Sequence, residues 1–137
     1  MATPYFPDHS LATAAQRQTV LVVEDETALR VVVCRMLMLG GYDTLEAQDG
    51  RQALRVLRQR EAPVDVVLTD LVMPVMDGGE LASRLAIEWP GLPVIGMSAY
   101  ASGEWFALGI VNFAAPVIRK PFSSATLLGS ISAALSG

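Results

Sequence analysis

From Thr19 onward, short apolar runs alternate with longer stretches in which apolar positions recur every three or four residues. The first run, TVLVVE at 19–24, is β-branched and nearly unbroken, the pattern of a strand buried on both faces. In the next stretch, ETALRVVVCRMLMLGG, Leu29, Val32, Val33, Met36 and Leu37 fall at helical spacing and Gly40-Gly41 supplies a stop. That predicts a helix with Val31, Cys34 and Met38 off its main apolar stripe, read as extra core before anything else. YDTLEA, VDVVLT, PVIGMS and PVIR read as four further strands. GRQALRVLRQR predicts a helix with Leu54 and Leu57 inward and its four arginines outward, and GELASRLAIEW predicts another. A last helix, N-capped by Ser123 or Ser124, buries Leu127, Leu128, Ile131 and Leu135. Between Ala99 and Ala115 the helical periodicity is weak, with Gly103 and Gly109 among Trp105, Phe106 and Phe113, which predicts a short or distorted fourth helix.

Five strands separated by helices imply right-handed crossovers and a parallel sheet covered on both faces: an α/β, doubly wound domain over residues 19–137. Residues 1–18 hold two prolines, His9 and no sustained periodicity, and read as an N-terminal extension or linker.

Composition narrows the class. The chain has 137 residues, enough for one self-sufficient core, and a single cysteine, Cys34, which can form no intramolecular disulfide and points to a reducing compartment, the cytoplasm. Although 52% of residues are hydrophobic, no run reaches the length of a membrane span, and the first residues lack the basic start and apolar stretch of a secretory signal. A net charge of −4 and ten basic residues scattered in sequence argue against direct nucleic-acid binding. Lys120 is the only lysine.

In a doubly wound sheet, ligands bind beyond the carboxyl ends of the strands. Those ends carry Glu24-Asp25-Glu26, Asp70, Ser98 and Lys120-Pro121. Taken singly, an acid after a strand is an ordinary helix cap, a serine a turn former and a lysine a solvated charge. Together they form a set with one chemistry. Clustered carboxylates repel unless a cation sits among them, hard oxygen ligands suit Mg²⁺, and carboxylate, metal, hydroxyl and ammonium together can hold a phosphoryl group.

The motifs LVVEDE, LTDLVMPVMDG, MSAY and RKPF, in this order and spacing, resemble the response-regulator receiver domains of two-component signalling, and the match runs from Thr19 to the end. The combination MSAYA, the irregular fourth helix and the N-terminal extension are most similar to receivers attached to hybrid sensor histidine kinases. The resemblance implies a flavodoxin-like fold with strand order 2-1-3-4-5. It implies that Asp70 is the phosphoacceptor. Mg²⁺, or alternatively Mn²⁺, would be ligated by Asp25, Asp70 and the Val72 backbone carbonyl, with Glu24 acting mostly through water. Ser98 would hydrogen-bond a phosphoryl oxygen and Lys120 would pair with Asp70 and then with the phosphoryl group. Pro74 and Gly78 would shape the loop after Asp70, and the Lys120-Pro121 bond would be cis.

The implied partners are a histidine kinase or a histidine phosphotransfer protein, docking partly on the first helix near Arg30 and Arg35. The output face would be the fourth helix, fifth strand and fifth helix, with a homodimer or partner patch around Trp105 and Phe106. No membrane insertion, no DNA-binding helix pair and no enzymatic activity beyond self-phosphorylation and self-dephosphorylation are expected. The sequence departs from the family at Val117, where many members carry a switch aromatic; Tyr100 is the candidate substitute. Apolar or bulky residues at Val72 and Tyr100 imply slow self-dephosphorylation. A haloacid-dehalogenase-like phosphatase needs a second acid at the position held by Val72, which leaves a degenerate, phosphorylation-independent receiver as the alternative.

Overall fold

The structure is a computed structural model that describes residues 17–105, 108–110 and 113–137. Nearly all of the N-terminal extension, and Phe106, lie outside the described residues. Five strands, β1 (Thr19–Val23), β2 (Asp43–Ala47), β3 (Val66–Asp70), β4 (Val94–Ser98) and β5 (Val117–Arg119), form one parallel sheet in the order β2-β1-β3-β4-β5. Among the described residues, five helices connect and follow them: α1 (Thr27–Leu39), α2 (Gly50–Gln59), α3 (Gly78–Glu88), α4 (Ser102–Trp105) and α5 (Ser124–Ser136). The fourth helix is a single turn, as the interrupted pattern of that stretch predicts.

The period of two in β1 divides the interior. Val20 and Val22 join a core with Val33, Cys34 and Leu37 of α1 and Leu127 and Ile131 of α5. Leu21 and Val23 point the other way, into a core with Ala53, Leu54 and Leu57 of α2 and Leu81 and Leu85 of α3. Every residue of β1 and β3 is buried, because both are inner strands covered on both faces, while the edge strands β2 and β5 are only partly covered. Among the described residues, no helix is long and apolar enough to cross a membrane.

The helix starts follow local chemistry. Asp49, Asp77 and Ser123 accept from the backbone N–H groups of Gln52, Glu80 and Thr126, so Ser123 is the cap of α5. The first helix differs: Glu26 stands at its N-cap position and makes no side-chain cap.

Three details of the predicted faces change. On α1, Val32 is about half exposed at 47%, whereas Cys34 is buried in the core; Val31 and Met38 are exposed. The apolar run of α1 is wider than the face that α5 and the sheet can cover, and its contact line runs through 33, 34 and 37. Arg60, expected to point outward, is half-buried just past the end of α2, and its Nε has no hydrogen-bond partner among the described residues. Finally, arginines scattered in sequence meet in space: Arg51, Arg55 and Arg58 of α2 share a groove of about 610 Å³ with Arg84 of α3. Arg58 and Arg84 are ion-paired there with Glu88 and Glu80.

Candidate functional site

The parallel sheet places the ends of β1, β3, β4 and β5 along one rim. Glu24 follows β1 directly, and its amide donates to the Ala47 carbonyl at 3.0 Å, continuing the strand pairing by one residue. Asp70 is the last residue of β3, paired in register with Met97, so Ser98 stands one residue beyond it on β4. Lys120 follows β5, and its amide donates to the Ser98 carbonyl at 2.8 Å. The Lys120-Pro121 peptide is cis.

The acids of Glu24-Asp25-Glu26 do not cap α1. Instead, Glu24 turns its carboxylate inward at 1% exposure, accepting from the Glu26 amide through Oε2 and from Lys120 Nζ through Oε1 at 2.9 Å. Lys120 Nζ also lies 3.4 Å from Asp70 Oδ1. Thus the only lysine bridges two buried carboxylates, closer to Glu24 than to Asp70. Burial pushes the Asp70 carboxyl above the ordinary carboxylate range, against the attraction of Lys120 and the Val72 amide. Glu24 is likewise raised by burial, which outweighs its bond to Lys120. For Lys120, burial disfavours the charge, yet the bond to Glu24 and the field of Asp70 carry its ammonium above the ordinary lysine value.

Asp25 is exposed, and one carboxylate oxygen from each of Glu24, Asp25 and Asp70 lies within 4.8 Å of the other two. Around an octahedral Mg²⁺ with oxygens at about 2.1 Å, ligand oxygens stand roughly 3 to 4.2 Å apart, so this set needs little contraction to hold the ion. Charge agrees with geometry, since three carboxylates against one ammonium leave two negative charges for a divalent cation to neutralise.

The loop after Asp70 is shaped by close approach. A Cβ on Gly78 would lie 2.7 Å from the Asp70 carbonyl oxygen and 2.9 Å from Leu71 Cα, so only glycine lets α3 begin against the chain that carries Asp70. Pro74 accepts from the Met76 amide at 2.8 Å across Val75, which has φ 73°, a three-residue turn in the left-handed region. The Val72 amide lies 3.5 Å from Asp70 Oδ1, and its side chain is at the surface.

Ser98 is buried at 1% exposure. Its Oγ donates to the Tyr100 carbonyl at 3.1 Å and accepts from the Tyr100 amide at 2.9 Å and from the Trp105 indole Nε1–H at 3.1 Å. The Tyr100 ring, the candidate switch aromatic, is exposed. Val117 opens β5 opposite Gly96.

Two residues hold places that sequence reasoning did not assign. Trp105, grouped with Phe106 as an interaction patch, is half-buried and directs its indole N–H to Ser98 and Tyr100. Arg30, taken as a docking charge, donates to the Glu24 carbonyl at 2.7 Å and to Glu46 Oε1 at 2.8 Å, so it braces the turn that presents Glu24. The spacing of Arg30 from Glu24, six residues along the chain and about one helical turn past the strand end, is the signal that could have found it.

Comparison with known proteins places this rim in a family. The model of the response regulator receiver domain matches residues 20–132. Among curated relatives, the chain is 38% identical over 109 residues to the response regulator protein FleR of Pseudomonas aeruginosa, covering 80% of this chain and 23% of FleR. It is 37% identical over 105 residues to the sensor kinase CckA of Brucella abortus, covering 77% of this chain and 11% of that kinase. The chain therefore spans a quarter or less of the length of these two relatives. Among solved structures, it is similar to the receiver domain of the sensor histidine kinase PA1611 from Pseudomonas aeruginosa, solved with a magnesium ion coordinated in the active-site cleft. That match has a TM-score of 0.76 at 26% identity, covering 88% of this chain and 99% of that one.

Proposed function

The chain belongs to the response-regulator receiver family, and from that premise we propose that it accepts a phosphoryl group on Asp70 from the phosphohistidine of a kinase or phosphotransfer protein. The observation that carries this reading is the single ammonium of Lys120 shared between Glu24 and Asp70, with the Asp25 carboxylate within reach of both acids. In the transfer, an Asp70 carboxylate oxygen forms the new bond to phosphorus while the bond from phosphorus to the donor imidazole nitrogen breaks, its electron pair returning to the ring. Lys120 stands ready to follow the charge from the carboxylate to the phosphoryl oxygens. Ser98 supplies a neutral hydroxyl donor for one of those oxygens.

Glu24, Asp25 and Asp70, with the Val72 carbonyl, would hold Mg²⁺, or Mn²⁺ in its place. When bound, the ion neutralises the charge that an incoming phosphoryl group would otherwise meet. The magnesium recorded in the PA1611 receiver supports this assignment.

A partner must reach Asp70 over the rim, and an apolar groove of about 450 Å³ lies beside Lys120, lined by Leu29, Val32, Met36 and Phe122 among others. The groove includes the exposed Val32 and supports α1 with the loop after β5 as the docking side for the donor. The signal leaves by contact through α4, β5 and α5, as a homodimer or toward a second protein, in the cytoplasm and without turnover of any external substrate.

Incubation with acetyl phosphate, with and without Mg²⁺, followed by intact-mass measurement, tests the proposal. The expected result is one metal-dependent phosphoryl adduct on the wild type and none on Asp70→Asn. Absence of an adduct under every donor and metal condition would replace this reading with a degenerate receiver that acts only as an interaction module.

A further inference from the structure

The Ser98 hydroxyl has one proton to donate, and here that proton goes to the Tyr100 carbonyl, away from any group on Asp70. The Trp105 indole Nε1–H is shared between two acceptors, Ser98 Oγ at 3.1 Å and the Tyr100 carbonyl oxygen at 3.0 Å. Ser98, the Tyr100 backbone and Trp105 thus form a closed set around the hydroxyl of a buried serine. Trp105 is itself anchored: its carbonyl accepts from the Ile110 amide at 2.9 Å, and Glu104 beside it accepts from the Ala101 amide at 2.9 Å.

For Ser98 to donate to an anionic oxygen on Asp70, its hydroxyl must leave the Tyr100 carbonyl. That leaves a carbonyl in need of a donor, and the indole N–H already stands within hydrogen-bond distance of it. The exchange costs little because the donor that must take over is in place beforehand. Val117, at the start of β5, has no polar group that could act in its stead.

We propose that Trp105 is a positioning residue for the Ser98 hydroxyl: its indole N–H holds Ser98 against the Tyr100 backbone in the unmodified protein. When Ser98 turns to a phosphoryl group on Asp70, the indole transfers to the Tyr100 carbonyl alone. This rests on the reading of Asp70 as phosphoacceptor. The consequence is that the indole favours occupation of the site, since it satisfies the Tyr100 carbonyl that Ser98 gives up on turning to Asp70.

The test uses beryllofluoride with Mg²⁺ as the probe on the full chain, read by fluorine NMR for affinity and by the indole N–H resonances of Trp105 and Trp89. Trp105→Phe keeps the ring and removes the donor, so the Tyr100 carbonyl has no replacement once Ser98 turns away, and it is expected to weaken beryllofluoride binding roughly two- to tenfold, the range set by one ordinary hydrogen bond. That loss should vanish in the Ser98→Ala background, where no hydroxyl leaves the Tyr100 carbonyl on binding. Trp105→His, which retains a ring N–H, should lie nearer to wild type. On saturation the wild-type Trp105 indole resonance should move, while that of Trp89, at the end of α3, should stay.

Unchanged or tightened binding by Trp105→Phe overturns the proposal, as does the same change with and without the Ser98 hydroxyl. A wild type that takes neither beryllofluoride nor a phosphoryl group overturns the phosphoacceptor reading and this one with it. A normal wild-type adduct with a silent Trp105→Phe overturns the positioning role alone.

Discussion

On the β1 and β3 side of the cleft, Glu24 and Asp70 are buried carboxylates joined by Lys120, a residue 96 positions from Glu24. On the β4 side, Ser98 is equally buried, but it is neutral and every hydrogen-bond partner of its hydroxyl lies within seven residues. The first arrangement exists only when three strand ends have been assembled, and it carries excess negative charge. The second is a local loop of hydrogen bonds around one hydroxyl. The side that binds charge is therefore tied to the global fold, whereas the side that responds can rearrange without disturbing the sheet.

The largest expected effect tests that contrast directly. Lys120→Met leaves Glu24, with its side chain only 2% exposed, without its cation, and should cost about 3 kcal/mol of unfolding free energy. Ser98→Ala removes only neutral, local bonds and should cost about 1 kcal/mol. Chemical denaturation of both variants measures the difference, and equal costs would erase the distinction between the two sides.

A smaller effect of opposite sign is expected at Asp70. Its carboxyl is raised by burial, so the folded chain holds its proton more tightly than the unfolded chain does. Below the ordinary carboxylate range Asp70 is protonated in both states and costs nothing; above the raised folded value the full cost applies. In metal-free buffer at neutral pH, Asp70→Asn should therefore be more stable than wild type by about 1 kcal/mol, an advantage that fades as pH falls toward the ordinary carboxylate range. Thermal unfolding across pH 4 to 8 in a chelator reads it. A variant less stable than wild type at neutral pH would show that Lys120 outweighs burial.

The smallest effect concerns the loop after Asp70. A β-branched residue at φ 73° is strained, and Val75 is mostly exposed at 67%. Val75→Asn keeps the turn with a residue that tolerates the left-handed region and should stabilise the chain by about 0.5 kcal/mol. No gain would mean that the loop relaxes around Val75 at no cost.

The alternation of apolar runs and helical stripes was legible because it is a local, periodic property: one-residue alternation in β1 by itself separates Val20 and Val22 from Leu21 and Val23, and the strand ends then follow from the pattern. Sequence also named Glu24, Asp25, Asp70, Ser98 and Lys120, since residues after parallel strands must reach one rim. What only the tertiary structure decided depends on distances between elements. The apolar positions of α1 outnumber those its neighbours can cover, so nothing along the chain could tell that Cys34 faces the core and Val32 the groove beside Lys120. Arg30 became a brace because the first turn of α1 lies against the end of β2, where Glu46 waits. The indole of Trp105 reads in sequence as apolar bulk; its single N–H acquired a partner only once the one-turn α4 folded back over the end of β4, because a hydrogen bond depends on an angle and a separation that residue order does not encode.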